Sequence, residues 1–416
     1  MDIPIPLGER TEIVSFPDDW QVKVIHPKAV SVGEARDVIR EALQSPVHAP
    51  PFSEFISPFR RPCVIVNDAT RPTPTARVLE CIYPELAERD VTFLVATGSH
   101  RAPTEEEYRF IFGDLWEWAS KRVVVHDAKA SPCRLLGRTR FGNDLHLNAL
   151  LWEADCIIPI GSVEPHYFAG YTGGRKSLMP GVASYESITV NHRLAISPAA
   201  RLLTLEGNPV AEDLNDAEAL MLDTFHLFSI MTVLDGAGQV YAARAGHLKY
   251  AFRKLVAMAD EVFVVDVNEK ADVVITVARE PTDIDLYQSQ KALENVRHAL
   301  KDGGILILVS ACRSGVGSRA FLDLLASEET PEAVVKRLKA EYRLGYHKAG
   351  KMAELAMMCH LWAVTFLDEE TIRQAKMRPL KSVSEAIKEI RDMKGSAVSV
   401  LIVMDGGMTI PRVKGA

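Results

Sequence analysis

Short β-branched runs alternate with helical patterns along most of this chain, and that alternation restricts its fold more than any other feature. Parallel strands need long crossover connections, usually helices, and the helices then cover the faces of the sheet. The runs expected as strands are 63–67, 91–96, 122–126 and 155–160, with a second set at 261–267, 272–277, 305–310 and 398–404. Between the two sets, residues 209–258 read as polar and helical. The expected fold class is α/β, with two Rossmann-like α/β domains and an active site in the cleft between them. Residues 1–260 would form the N-terminal cofactor-binding domain, and residues 261–416 a C-terminal domain contributing substrate-binding residues.

The 416 residues suit two or three domains, and 47% hydrophobic with 25% charged residues is an ordinary globular balance. A net charge of −7 supplies no basic stripe for nucleic acid. No window reaches the roughly 18 apolar residues of a membrane span. Residues 1–20 carry acids and prolines where a signal peptide needs a basic start and an apolar run, so a cytoplasmic location is expected. The six cysteines, at 63, 81, 133, 156, 312 and 359, form no CxxC pair. They read as core thiols in a reducing compartment rather than as zinc ligands or disulfides.

Helix signals place the loops that carry chemistry. Thr73-Pro74 reads as an N-cap followed by proline at the first helical position, with the helix running over 74–86. Thr104 and Glu107 form a capping-box pattern just after His100. Gly303-Gly304 is expected to close a helix that opens near Asp285. Strand, loop and helix start therefore follow one another, and ligands of open α/β sheets bind at such carboxyl ends.

Three loops stand out. In the first, Asp68, Thr70 and Arg71 lie between a strand and a helix N-terminus, where backbone amides favour an anion. The same letters suit an ordinary loop in which Asp68 and Arg71 pair with each other. The second, Ala96 to His100, puts one histidine at a glycine-flexed strand end. The third runs from Gly161 to Gly181 and holds His166 and Lys176, with Asn191-His192 beyond it. Its glycines 170, 173, 174 and 181 would let backbone approach a ligand closely. It is not a P-loop, because Arg175 stands where glycine must precede the lysine, and the G-x-G-x-x-G dinucleotide fingerprint is absent. His166 and His192 lack the spacing of a zinc pair. In the C-terminal half, Tyr287, Gln288 and Lys291 share one face at a helix start, which suits a carboxylate receptor and equally an amphipathic surface helix.

The segments ATRPTP, ATGSHR and EPHYFAGYTGGRKSLMPGV, the Asn-His that follows, DLYQSQKAL and His347-Lys348-Ala349 resemble the lactate racemase family, the nickel-pincer-nucleotide enzymes. The resemblance runs across most of the chain in order. It implies an isomerase, a racemase or epimerase of a 2-hydroxy acid such as lactate, malate or a sugar acid. It implies nickel held by a pyridinium-3,5-bisthiocarboxylic acid mononucleotide made by cofactor-synthesis enzymes. Carried over by position, Lys176 would anchor this cofactor covalently and His192 would ligate nickel. Asp68, Thr70 and Arg71 would contact cofactor, with Arg71 also near substrate. His100 and His166 would be the catalytic acid/bases, while Tyr287, Gln288 and Lys291 would bind substrate. Neither Trp362 nor His347 is assigned to the site, and self-association is left open.

The chemistry wants the same parts. Removing the α-hydrogen of a hydroxy acid as a proton gives a dianionic enediolate, which enolase-type enzymes stabilise with metal-ligating carboxylates not found here. Removing hydride gives a neutral ketone, provided the hydroxyl proton leaves at the same time to a neutral imidazole. A racemase needs one base for each enantiomer. Two other readings are an NAD-type hydroxy-acid oxidoreductase with unusual loops and a cofactor-carrying protein without turnover. A carrier would need only Lys176 and His192, so the retention of His100 and His166 weighs against it.

Overall fold

The computed structural model describes residues 1–414 and bears out the α/β class. The chain divides into two compact units. One is continuous, Ala29–Val262; the other joins Met1–Lys28 to the chain from Phe263 onward. This differs from the expected 260/261 split, because the N-terminal 28 residues fold with the C-terminal half. The reason is strand pairing: Gln21–Ile25 adds in parallel to the edge strand Ser399–Val403. An edge strand accepts any nearby backbone, and nothing in the N-terminal pattern marks its partner.

The continuous unit is built on a six-stranded sheet. Its spatial order is Val240–Gly246, Ser229–Leu234, Cys156–Ser162, Pro62–Asn67, Thr92–Ala96 and Val123–Val125. All are parallel except the first. From Pro62–Asn67 the chain steps outward in one direction and then returns to place Cys156–Ser162 on the other side. The reversal leaves a crevice beyond Asn67 and Ser162, where ligands of such sheets bind. Both strands are buried on both faces, as continuous apolar runs in parallel sheets should be. The core beneath combines Val64, Val66, Phe93 and Ile158 with Leu79 and Ile82 of the helix Thr75–Leu86.

The stretch 209–258 is not wholly helical, for it contains the strands Ser229–Leu234 and Val240–Gly246. Ser229–Leu234 is buried throughout, so it shows no polar alternation to separate it from a buried helix segment.

The second unit has a sheet of six parallel strands: Arg378–Leu380, His360–Thr365, Leu300–Ser310, Ala271–Val277, Ser399–Val403 and Gln21–Ile25. Gly303-Gly304 does not close a helix. The helix Leu286–Val296 ends earlier, and both glycines lie in the strand Leu300–Ser310, beside the register shift between Ala271 and Val273. A β-bulge explains them better than a C-cap. Of the expected strand 261–267, only Val264–Val267 is extended; it pairs with Ile410–Val413, outside the main sheet. Trp362 is buried in the core of this sheet with Ile307 and Ile402. Among the described residues, no helix is long and apolar enough to cross a membrane.

Candidate functional site

The loops after Asn67, Ala96 and Ser162 meet at the strand-order reversal. Thr73 does not cap its helix, since Pro74 holds that position without a side-chain bond. Its Oγ1 instead accepts from Asn67 Nδ2 at 2.8 Å and lies 3.1 Å from Ser162 Oγ, tying the two central strand ends together. Gly98 takes φ +56°, a region open to glycine, and its N–H donates to Gly181 O at 2.9 Å. The second loop is thereby pinned to the end of the third. The capping box forms as expected, with Thr104 and Glu107 bonding each other's backbone N–H.

Asp68 and Arg71 do not form an ion pair with each other. Asp68 is buried; its Oδ1 accepts from Thr70 N at 3.1 Å and Thr70 Oγ1 at 2.6 Å. Its Oδ2 lies 2.8 Å from His100 Nδ1. Burial pushes the Asp68 carboxyl up, but His100, Thr70 and Arg71 outweigh it and leave the group below its ordinary value. A carboxylate only accepts, so His100 Nδ1 carries the proton and Nε2 keeps its lone pair. Arg71 reaches Glu164 of the third loop at 3.8 Å.

The third loop opens with a tight hairpin, Pro165–His166 against Gly170–Tyr171. His166 Nδ1 accepts from Ala169 N at 3.3 Å, which places the proton of its neutral form on Nε2. The two histidines thus present opposite tautomers. A short turn, Gly174–Ser177, then carries Arg175 and Lys176. The loop's glycines serve its own packing rather than an approaching ligand. A Cβ would sit 2.3 Å from Thr204 O at Gly170, 2.7 Å from Ser162 O at Gly173 and 2.1 Å from Ser177 O at Gly181. At Gly174 it would press on Phe252 at 3.2 Å.

Lys176 is half-buried overall, but enclosure of its ammonium, reinforced by Arg71 and Arg175, pushes it well below the usual lysine range. His192, on the helix Tyr185–Arg193, is pushed down to about 3, by burial first and then by Lys176. His192 therefore stands neutral at pH 7 with an imidazole lone pair available, and the Lys176 ammonium gives up its proton more readily than an exposed lysine does. Phe168 joins them: its ring is 5.2 Å from His192, 4.5 Å from His166 and 5.6 Å from Lys176 Nζ. Asp68, Thr70, Arg71, His100, His166, Lys176 and His192 are thus gathered within one unit.

Tyr287, Gln288 and Lys291 belong to the other unit, on the first turns of Leu286–Val296. The amides of that helix start are already occupied. Leu286 N and Tyr287 N donate to Gly315 O and Val316 O, and Gln288 N to Asp285 Oδ1. A carboxylate there would have to be held by side chains, of which Lys291 is exposed.

Residues 7–202 match the family described as lactate racemase N-terminal domain, and residues 266–410 the lactate racemase C-terminal domain. The lactate racemase of Thermoanaerobacterium thermosaccharolyticum is 30% identical over 431 aligned positions, covering 99% of this chain and 100% of that protein. The chain belongs to the lactate racemase family. The Lactiplantibacillus plantarum lactate racemase is 27% identical, covering 97% of this chain and 98% of that one. The solved structure of the T. thermosaccharolyticum lactate racemase apoprotein superposes with a TM-score of 0.90 at 29% identity, over 99% of this chain and all of that one.

Family membership gives weight to three neighbours whose contacts the sequence alone leaves open. Phe168 sits between His166 and Gly170, yet no spacing rule marks its contacts. Lys348 is buried, and its Nζ lies 3.6 Å above the Tyr287 ring and 2.7 Å from Tyr287 O. Arg175 is buried too, its guanidinium 4.6 Å from the Phe252 ring. Burial, partly offset by Glu218, lowers it to about 10.

Proposed function

We propose that this chain is an isomerase that racemises lactate by reversible removal of the α-hydrogen with its electron pair. The observation that carries the reading is the pair of oppositely protonated imidazoles, His100 fixed by Asp68 and His166 fixed by the Ala169 amide. A hydroxy acid losing hydride must also lose its hydroxyl proton, and the reverse step must give one back. His100 Nε2, with its lone pair, takes the hydroxyl proton, and His166 as the imidazolium, its Nδ1 then no longer accepting from Ala169, returns one from Nε2 and ends neutral. For the opposite enantiomer the roles exchange, so every turnover uses both rings.

The residues fit the family's nickel-pincer nucleotide by the chemistry of their donors. Lys176, its ammonium disfavoured by burial, would supply the nitrogen nucleophile for a covalent link, and neutral His192 is the form of imidazole that ligates a metal. Such a nucleotide would supply an electron-poor carbon able to hold the α-hydrogen with its electron pair. Asp68, Thr70 and Arg71 would hold it at the helix N-terminus, and enzymes that make the cofactor are the partners this reading requires. Arg71 would hold the substrate carboxylate by a side-chain contact.

Arg175 does not support a substrate with a second anion, because its guanidinium is buried against the Phe252 ring at 4.6 Å. Lactate is therefore favoured over malate or a sugar acid. Protein made alongside the cofactor-synthesis enzymes, given one lactate enantiomer, should form the other without added NAD. Dependence on NAD, or accumulation of ketone without inversion, would overturn the proposal.

A further inference from the structure

The helix Pro209–Thr224 carries none of the proposed site residues, yet it touches the chain beside three of them. Asn208 caps this helix through Oδ1, and its Nδ2 donates to Phe168 O at 2.9 Å. Buried Glu218 on the same helix carries a charge that is felt at Arg175, the neighbour of Lys176. Between them stands Asp213, fully buried. Its Oδ1 accepts from Thr139 Oγ1 at 2.5 Å, and its Oδ2 from Asn143 Nδ2 at 3.1 Å and Asn191 Nδ2 at 2.7 Å. Asn191 immediately precedes His192 on the helix Tyr185–Arg193.

We infer that Asp213 is a positioning residue for His192, acting through its hydrogen bond to Asn191. This rests on the reading of His192 as the residue that holds nickel. Successive helical residues lie about 100° apart around the axis, so a side-chain bond at Asn191 fixes the rotation of the helix and the direction in which His192 projects. Three donors converge on Asp213, and among side chains of this size only an ionised carboxylate accepts at every point. Asparagine would present an amide to donors and leave buried groups unpaired. Asn143 Nδ2 also donates to Ser187 O at 3.1 Å, so the carboxylate holds a second point of the same helix. Thr139 approaches from the other side, on the turn of the antiparallel pair Cys133–Arg138 and Asp144–Asn148, and offers a control.

The test compares Asp213→Asn, Asn191→Ala, Thr139→Val and the exchange D213N/N191D in nickel-loaded protein made with the cofactor-synthesis enzymes. Two quantities are read: the rate of nickel loss to a chelator, and hydrogen exchange over residues 185–193 in the apoprotein. Asp213→Asn and Asn191→Ala should each speed nickel loss by about tenfold or more and raise exchange in that helix. The exchange variant should restore much of both, and Thr139→Val should leave nickel loss near the wild-type rate even where thermal stability falls equally. If Asp213→Asn does not fold, Asn191→Ala carries the comparison alone. Equal nickel loss from Thr139→Val and the Asp213 or Asn191 variants at matched stability would make the network merely structural and overturn the inference. So would wild-type exchange over 185–193 in Asn191→Ala. If His192→Ala holds nickel as firmly as wild type, the reading of His192 fails, and the exchange measurement still decides whether Asp213 fixes the helix.

Discussion

Asp68 Oδ2 and His100 Nδ1 lie 2.8 Å apart, the carboxylate buried and the imidazole half exposed. Their parent strands are neighbours in the sheet, Asn67 opposite Ala96, so the pair is set by strand register rather than by sequence spacing. The buried partner fixes the tautomer, and the exposed one keeps its other nitrogen open. Asp68→Asn should therefore preserve shape but let the imidazole adopt the wrong tautomer. Racemisation should fall by about 10²–10⁴-fold in both directions, counted per bound nickel. Chiral analysis of product, normalised by elemental analysis, checks it.

His100→Ala and His166→Ala should each slow both directions of racemisation by about 10²–10⁴-fold, because each turnover uses both imidazoles. Initial rates from each enantiomer decide this. A variant that slowed one direction alone at equilibrium-compatible concentrations would contradict the shared role.

Attachment of the cofactor separates Lys176 from His192. Lys176→Ala should lose added mass on the peptide containing that position, measured by intact-mass and peptide analysis. His192→Ala should keep the mass and lose nickel. Retention of stoichiometric nickel by the double variant would remove both residues from cofactor binding.

Because the Arg175 guanidinium is buried 4.6 Å from the Phe252 ring, substrates with a second carboxylate gain no accessible cation from it. Turnover of lactate should exceed that of malate by at least about tenfold, the worth of about 1.4 kcal/mol. In heavy water the α-hydrogen of lactate should be retained through inversion. Rapid α-deuterium uptake would exclude hydride transfer.

Asp272 gives a prediction about stability. Burial pushes its carboxyl up, but the hydroxyl and amide of Ser399, with Lys301, outweigh this and lower it from 3.8 to about 2. A depressed carboxyl stabilises the fold above its unfolded value, and that contribution is lost as pH falls from about 4 through about 2. Asp272→Asn should cost roughly 1 kcal/mol at pH 7 after solvent screening, with the gap to wild type closing near pH 2. Denaturant unfolding at the two pH values measures it.

The apolar runs at 63–67, 91–96, 155–160 and 272–277 made the α/β class legible, because strands buried on both faces must be continuously apolar whatever they pair with. The same property hid Ser229–Leu234 among helices, since complete burial removes the alternation that distinguishes a strand. His100, His166, Lys176 and His192 were marked by residue type and by the motifs around them. Their neighbours were not. Asp213 reaches Asn191 across 22 positions, Asp68 reaches His100 across 32, and Thr73 reaches Ser162 across 89. Local sequence determined which chemical groups this protein carries and that they sit at strand ends. Strand order decided which ends meet, the pairing of Gln21–Ile25 with Ser399–Val403 decided which unit the N-terminus joins, and burial decided that the His192 imidazole stands neutral and that the Lys176 ammonium is disfavoured. Each of these depends on contacts between distant segments, and desolvation exists only once those segments have closed over the group.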